Sequence, residues 1–103
     1  MTDHYDVLVV GAGPAGLAAA AASASHGARV GLIDAQATAG GQVWRHDVER
    51  GDPALARRNV AAALEHPGVT WLVQTRVVGA EAGALLVEDP QNARWLRYRA
   101  LVL

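Results

Sequence analysis

The chain has 103 residues, 51% of them apolar, with a formal net charge of -1 and no cysteine. That length serves one domain, and the charge balance excludes a nucleic-acid partner held by bulk field. The absence of cysteine excludes a disulfide framework, a thiolate metal site and a CxxC redox pair within these residues. No run of about 18 apolar residues exists, so no membrane span is expected. Met1 to Asp6 is polar and acidic, unlike the basic start and apolar core of a signal peptide, and a cytoplasmic protein is the expectation.

In chain order, Asp6 to Val10 is a short continuous apolar run rich in β-branched residues, which predicts a strand buried on both faces, as in a parallel sheet. Gly11-Ala-Gly-Pro-Ala-Gly16 follows at once. Leu17 to Ser25 is almost all alanine and predicts a helix, with Pro14 tolerated in its first turn and Gly27 as its stop. Arg29 to Asp34 predicts a second buried strand, completing a βαβ unit of about thirty residues. Ala35 to Asp52 is irregular, contains glycine and is long for a connection, as functional loops often are. Pro53 to Glu65 carries a helical stripe, ended by His66-Pro67-Gly68. Val69 to Gln74 is a third strand. Arg76–Ala82, Ala84–Asp89 and Ala93–Arg99 read as the short strands of an antiparallel meander, with turns at Gly83 and at Asp89 to Asn92. Ala100 to Leu103 reads as the start of a further core strand. The expected fold is therefore α/β: a Rossmann-like parallel core over 6–75, a small β-meander insertion over 76–99, and one truncated domain over 1–103.

The glycine spacing has a physical reason. Gly11 permits the tight turn out of the strand, Gly13 lets a pyrophosphate approach the backbone, and Gly16 lets the helix pack close to the strand. The turn has no Lys or Arg, so the compensating field must come from free backbone N–H groups and the helix dipole, roughly +0.5 charge at its N-terminus. A Walker-type loop needs a lysine after its last glycine, and position 17 is leucine. Asp34 stands roughly 20 residues further on, where a carboxylate can accept hydrogen bonds from ribose hydroxyls and repel a 2′-phosphate. The fingerprint is shared by FAD and NAD sites, and spacing leaves both open. Gly40-Gly41-Gln42-Val43-Trp44-Arg45 follows closely and fits either a second contact to a long cofactor or a flexible turn. The four histidines, His4, His26, His46 and His66, lack metal-ligand spacing and suit solvated or capping roles. Trp71 and Trp95 read as packing residues, and no catalytic triad or carboxylate pair stands out.

Val9-Val-Gly-Ala-Gly-Pro-Ala-Gly-Leu-Ala-Ala19, Leu32-Ile-Asp34 and Gly40 to Arg45 together resemble the FAD domain of two-dinucleotide-domain flavoprotein oxidoreductases. The Gly-Gly-Gln element is also similar to thioredoxin reductases. The fuller Gly40 to Arg45 form resembles the amino-acid-oxidising branch, with opine oxidase, hydroxyproline dehydrogenase and hydrogen cyanide synthase flavin subunits. The resemblance implies an FAD/NAD(P)-type domain, here incomplete, with Gly11, Gly13, Pro14, Ala15 and Gly16 at the pyrophosphate, Asp34 on the ribose and Ala35 beside the adenosine. It implies Gly40, Gly41, Gln42 and Arg45 toward the pyrophosphate, ribityl chain or flavin, and Val77 near adenine through its backbone. It implies an FAD-dependent enzyme that oxidises a small amine or amino acid by hydride transfer. Its partners would be FAD, a small-molecule substrate and further subunits of a hetero-oligomeric dehydrogenase, with NAD(P) in a second domain absent from these residues. An NAD-binding Rossmann module and a thioredoxin-reductase-like fragment are the alternatives. Many family members carry Glu at the position of Asp34, and an Ala-Thr-Gly turn normally follows the strand begun at Ala100. The isolated chain is accordingly expected to bind FAD weakly or to aggregate, and no catalytic or metal-binding residue is assigned.

Overall fold

A computed structural model describes residues 3–36, 63 and 65–103. The elements are β1 (Asp3–Val10), α1 (Pro14–Ser25), β2 (Val30–Ile33), β3 (Val69–Leu72), β4 (Arg76–Glu81), β5 (Ala84–Glu88) and β6 (Ala93–Val102). The helix expected over 53–65 falls outside the described residues except for Ala63 and Glu65, which are helical.

The strands form one mixed sheet in the order β3-β2-β1-β6-β5-β4. β1 runs parallel to both β2 and β6, and β2 runs parallel to β3. The meander strands pair antiparallel, β4 with β5 and β5 with β6. The expected α/β architecture, with a parallel core and antiparallel strands beside it, is what the chain adopts.

Neighbouring residues on β1 and β2 point into opposite layers of core. Val9 and Leu32 pack with Leu17, Ala20 and Ala24 of α1, whereas Leu8 and Ile33 pack with Leu72, Leu85, Val87 and Leu96. This is why the two strands read as unbroken apolar runs: both faces are covered. The cover differs by face. α1 lies on one side, its alanines permitting close approach, and residues of β5 and β6 close the other. Leu8 and Leu96 have no exposed surface, and each such burial contributes about 2 kcal/mol. Gly31 in β2 makes room for this layer. A Cβ there would sit 2.7 Å from Leu8 Cδ2 and 3.1 Å from the Tyr5 ring.

One boundary expectation is corrected. A meander strand ending at Arg99 and a separate core strand starting at Ala100 are in fact a single ten-residue strand, β6. Its first half pairs with β5 (Ala93↔Glu88 to Arg97↔Ala84), and it pairs with β1 from Leu96↔Asp3 to Val102↔Val9. The arginines interspersed over 94–99 and the apolar run after them mark a change of surroundings, not a break in the strand. β1 likewise begins at Asp3 rather than Asp6, because Asp3 to Tyr5 find partners on β6. The antiparallel meander thus shares one sheet with the parallel core.

Candidate functional site

β1, β2 and β6 end on the same side of the sheet, with β1 between the other two. From β1 the chain passes through α1 to β2 on one side, while β6 lies on the other. The crevice beyond the carboxyl ends of β1 and β6 is therefore a topological switch point, where open α/β sheets take ligands. A cleft of about 250 Å³ lies there, walled by the glycine turn and by Val102 and Leu103.

The three glycines of the turn are required for three different reasons. Gly11 has φ +102°, a backbone conformation costly to other residues, and its N–H donates to Ile33 C=O at 2.9 Å. Gly16 is a close approach: a Cβ there would collide with the Gly11 carbonyl oxygen and lie 3.4 Å from Val9 Cγ1. Gly13 has an ordinary extended backbone (φ -73°, ψ 177°), and none of the described residues stands within 4 Å of where its Cβ would be. Neither conformation nor protein packing asks for glycine at position 13. What the missing side chain leaves is an open cradle.

Gly13 is also the N-cap of α1, without a side-chain cap, and Pro14 occupies the first turn. The first helical bond runs from Leu17 N–H to Gly13 C=O at 2.9 Å. The N–H groups of Ala15 and Gly16 precede it and have no intrahelical acceptor. No acidic side chain occupies the first turn, so the positive end of the helix faces the cleft uncompensated. At this turn the field comes from backbone dipoles, since residues 11–25 hold no lysine or arginine.

Val10 and Ile33 are register partners, so Gly11 and Asp34 leave the sheet side by side. Asp34 is no solvated strand-end residue: only 4% of it is exposed. Its Oδ1 accepts the Gln36 N–H at 3.0 Å, and its buried Oδ2 has no partner among the described residues. A buried carboxylate oxygen without a donor is costly, and a ribose hydroxyl is the kind of donor it lacks. Ala35 is exposed and lines a second cleft of about 240 Å³ with Gln74, Thr75 and Arg76. Val77 follows on the outer strand β4, 37% exposed, beside a bulge between Val77 and Gly79. Gly40, Gly41, Gln42 and Arg45, with Trp44 and His46, lie outside the described residues.

Two features of the site had no forewarning in the sequence. Gln74 holds a left-handed backbone, φ +50°, at a residue type that rarely adopts it. Thr75 is buried and donates its hydroxyl to Val73 C=O at 2.8 Å. Elsewhere, His26 caps α1 and His66 Nδ1 accepts the Gly68 N–H at 3.0 Å. No cluster of metal-ligating side chains occurs among the described residues, and none of their helices is long and apolar enough to cross a membrane. Burial, helped by Asp3, pushes the Tyr5 hydroxyl up. The N–H groups of Asn92 and Gln91 hold the Asp89 carboxyl below the usual carboxylate range.

The family model for pyridine nucleotide-disulphide oxidoreductases matches residues 5–103. The chain belongs to this family. One of the opine oxidase subunits of Agrobacterium tumefaciens is 47% identical across the whole chain, which spans 24% of that protein's length. The alpha subunit of sarcosine oxidase from a Corynebacterium species is 65% identical over 75% of the chain and 8% of that protein. Among solved structures, L-proline dehydrogenase from P. horikoshii superposes with a TM-score of 0.73 at 20% identity, covering 98% of this chain and 22% of that one. A geranylgeranyl bacteriochlorophyll reductase-like protein from Thermoplasma acidophilum gives 0.75 at 16% identity, covering 98% and 39%. At those identities the structures speak for the fold. The family is one of flavin-dependent oxidoreductases, as the sequence motifs imply. The disulphide of its name has no counterpart in these residues, which contain no cysteine.

Proposed function

We propose that these residues hold the ADP half of FAD in an oxidoreductase that oxidises a small amine or amino acid. The observation that carries the cofactor reading is the pairing of two adjacent features that the described residues leave incomplete: the open face of Gly13 and the Oδ2 of buried Asp34. A pyrophosphate fits the first and a ribose hydroxyl the second. Gly11, Pro14, Ala15 and Gly16 shape the phosphate cradle. Ala35 and the backbone near Val77 border the place left for the adenine. Gly40, Gly41, Gln42 and Arg45 are assigned to the remainder of the cofactor on their sequence alone. When bound, FAD supplies the hydride acceptor. The residues of this chain bind and orient it, and the glycine turn itself brings no lysine or arginine to the pyrophosphate.

Similarity to the opine oxidase and sarcosine oxidase subunits supports amine or amino-acid oxidation. Both relatives are named as parts of multi-subunit enzymes, which supports work within a hetero-oligomer. A cytoplasmic location belongs to the same reading. The test is to purify the full-length protein and follow its visible spectrum. It should carry one FAD per chain and lose the oxidised flavin absorbance on anaerobic addition of opines, sarcosine or proline. A protein that purifies colourless and takes up no added FAD sinks the reading. One that binds FAD but is reduced by none of these compounds restricts it to the cofactor.

A further inference from the structure

The end of β3 and the turn after it meet the segment after β2 at three points. Asp34 N–H donates to Leu72 C=O at 2.9 Å, Thr75 N–H to Asp34 C=O at 3.0 Å, and Gln74 N–H to Gln36 C=O at 2.9 Å. The Gln36 peptide is thereby held from both ends, because its own N–H donates to Asp34 Oδ1 at 3.0 Å. A continuous path of hydrogen bonds runs from Gln74 through Gln36 to the carboxylate. The path ends on Oδ1 and leaves Oδ2 over. Adjacent N–H groups at 74 and 75 converge on one short segment only because residue 74 sits at φ +50°. It is the one non-glycine residue with positive φ among those described, and such outliers persist where the surroundings enforce them.

We propose that Gln74 is a positioning residue for the nucleotide: its left-handed backbone presets the Asp34 carboxylate so that Oδ2 faces the ribose. The proposal rests on the dinucleotide reading of the site and deepens it. It assigns the role to the backbone of residue 74, so the side chain matters only through what φ it tolerates. Glycine and asparagine accept positive φ, alanine does so less readily, and valine resists it.

The experiment measures ADP binding calorimetrically to the apo form of the full-length protein, with thermal midpoints recorded for every variant. Gln74→Gly and Gln74→Asn should keep affinity within about twofold of wild type, Gln74→Ala should lose about threefold, and Gln74→Val about tenfold. In an Asp34→Ala background, itself about tenfold weaker, Gln74→Val should add less than about twofold, since the residue acts through the carboxylate. Losses that multiply in the double variant overturn the proposal. So do equal losses in Gln74→Gly, Gln74→Asn and Gln74→Val, which would mark the side chain as the contact. If Gln74→Val does not fold, the ordering of Gly, Asn and Ala decides alone. ADP binding that Asp34→Ala weakens and no substitution at 74 disturbs sinks this proposal and spares the site. ADP binding indifferent to Asp34→Ala sinks both.

Discussion

The two halves of the sheet solve electrostatics in opposite ways. In β1, α1 and β2 the work rests on backbone N–H groups at an uncapped helix end and on one buried carboxylate with an oxygen unpartnered among the described residues, with no acidic residue in the first turn of α1 and no basic residue in its last. In β4, β5 and β6 it is done by side chains. All three ion pairs among the described residues take their arginine from these strands: Arg76 with Glu88, Arg94 with Asp3 and Arg97 with Glu81. The Arg76–Glu88 and Arg97–Glu81 pairs are substantially exposed and contribute little, while the Arg94–Asp3 pair is half-buried. The proposed cofactor site therefore lies in the half with the fewer charges among the described residues, away from the ion pairs.

Substitutions can break that contrast, beginning with the residue that joins the halves. Leu96→Ala should cost about 3 kcal/mol in denaturant unfolding, because it opens a cavity between the antiparallel strands and the parallel core. Gly13→Val should leave the thermal midpoint where it is and weaken FAD about a hundredfold, roughly 2.7 kcal/mol, by filling the open cradle. Gly16→Ala should lose both, about 2 kcal/mol of stability along with the cofactor, since even a methyl group strikes the Gly11 carbonyl. Arg76→Ala should change stability by under about 0.5 kcal/mol despite its 2.8 Å pair with Glu88. The smallest effect concerns Asp89, whose carboxyl is held low by turn N–H groups. Its contribution is present above the ordinary carboxylate range and is lost as pH falls through the lowered value. The difference in thermal midpoint between wild type and Asp89→Ala should close on acidification.

Much of the nucleotide half was legible because its determinants are local. A tight turn, a helix of alanines and a strand buried on both faces each follow from consecutive residues, and the glycine spacing carries its own geometry. The continuity of β6 was not legible, since pairing partners change along it without any change in backbone conformation. Nor was the burial of Asp34, which depends on β3 and the turn after it, some 40 residues away by the general rule that sheet contacts are non-local. Gly31 does carry a signal in the sequence: a glycine within an apolar strand marks a close approach, here by Leu8 and Tyr5. Gln74 carries none, because glutamine is not a residue type associated with left-handed turns.

The register of β1 against β6 has a consequence for how the chain assembles. Val9 lies against Val102, so one wall of the cleft at the glycine turn leaves the ribosome long before the other. β1, α1 and β2 can associate at once through local contacts, yet β1 must wait with one edge unpaired until β6 emerges. Closing so long a loop is slow, and an open apolar edge invites pairing with other chains in the meantime. Among the described strands, this cleft is thus walled by the first and the last to be synthesised.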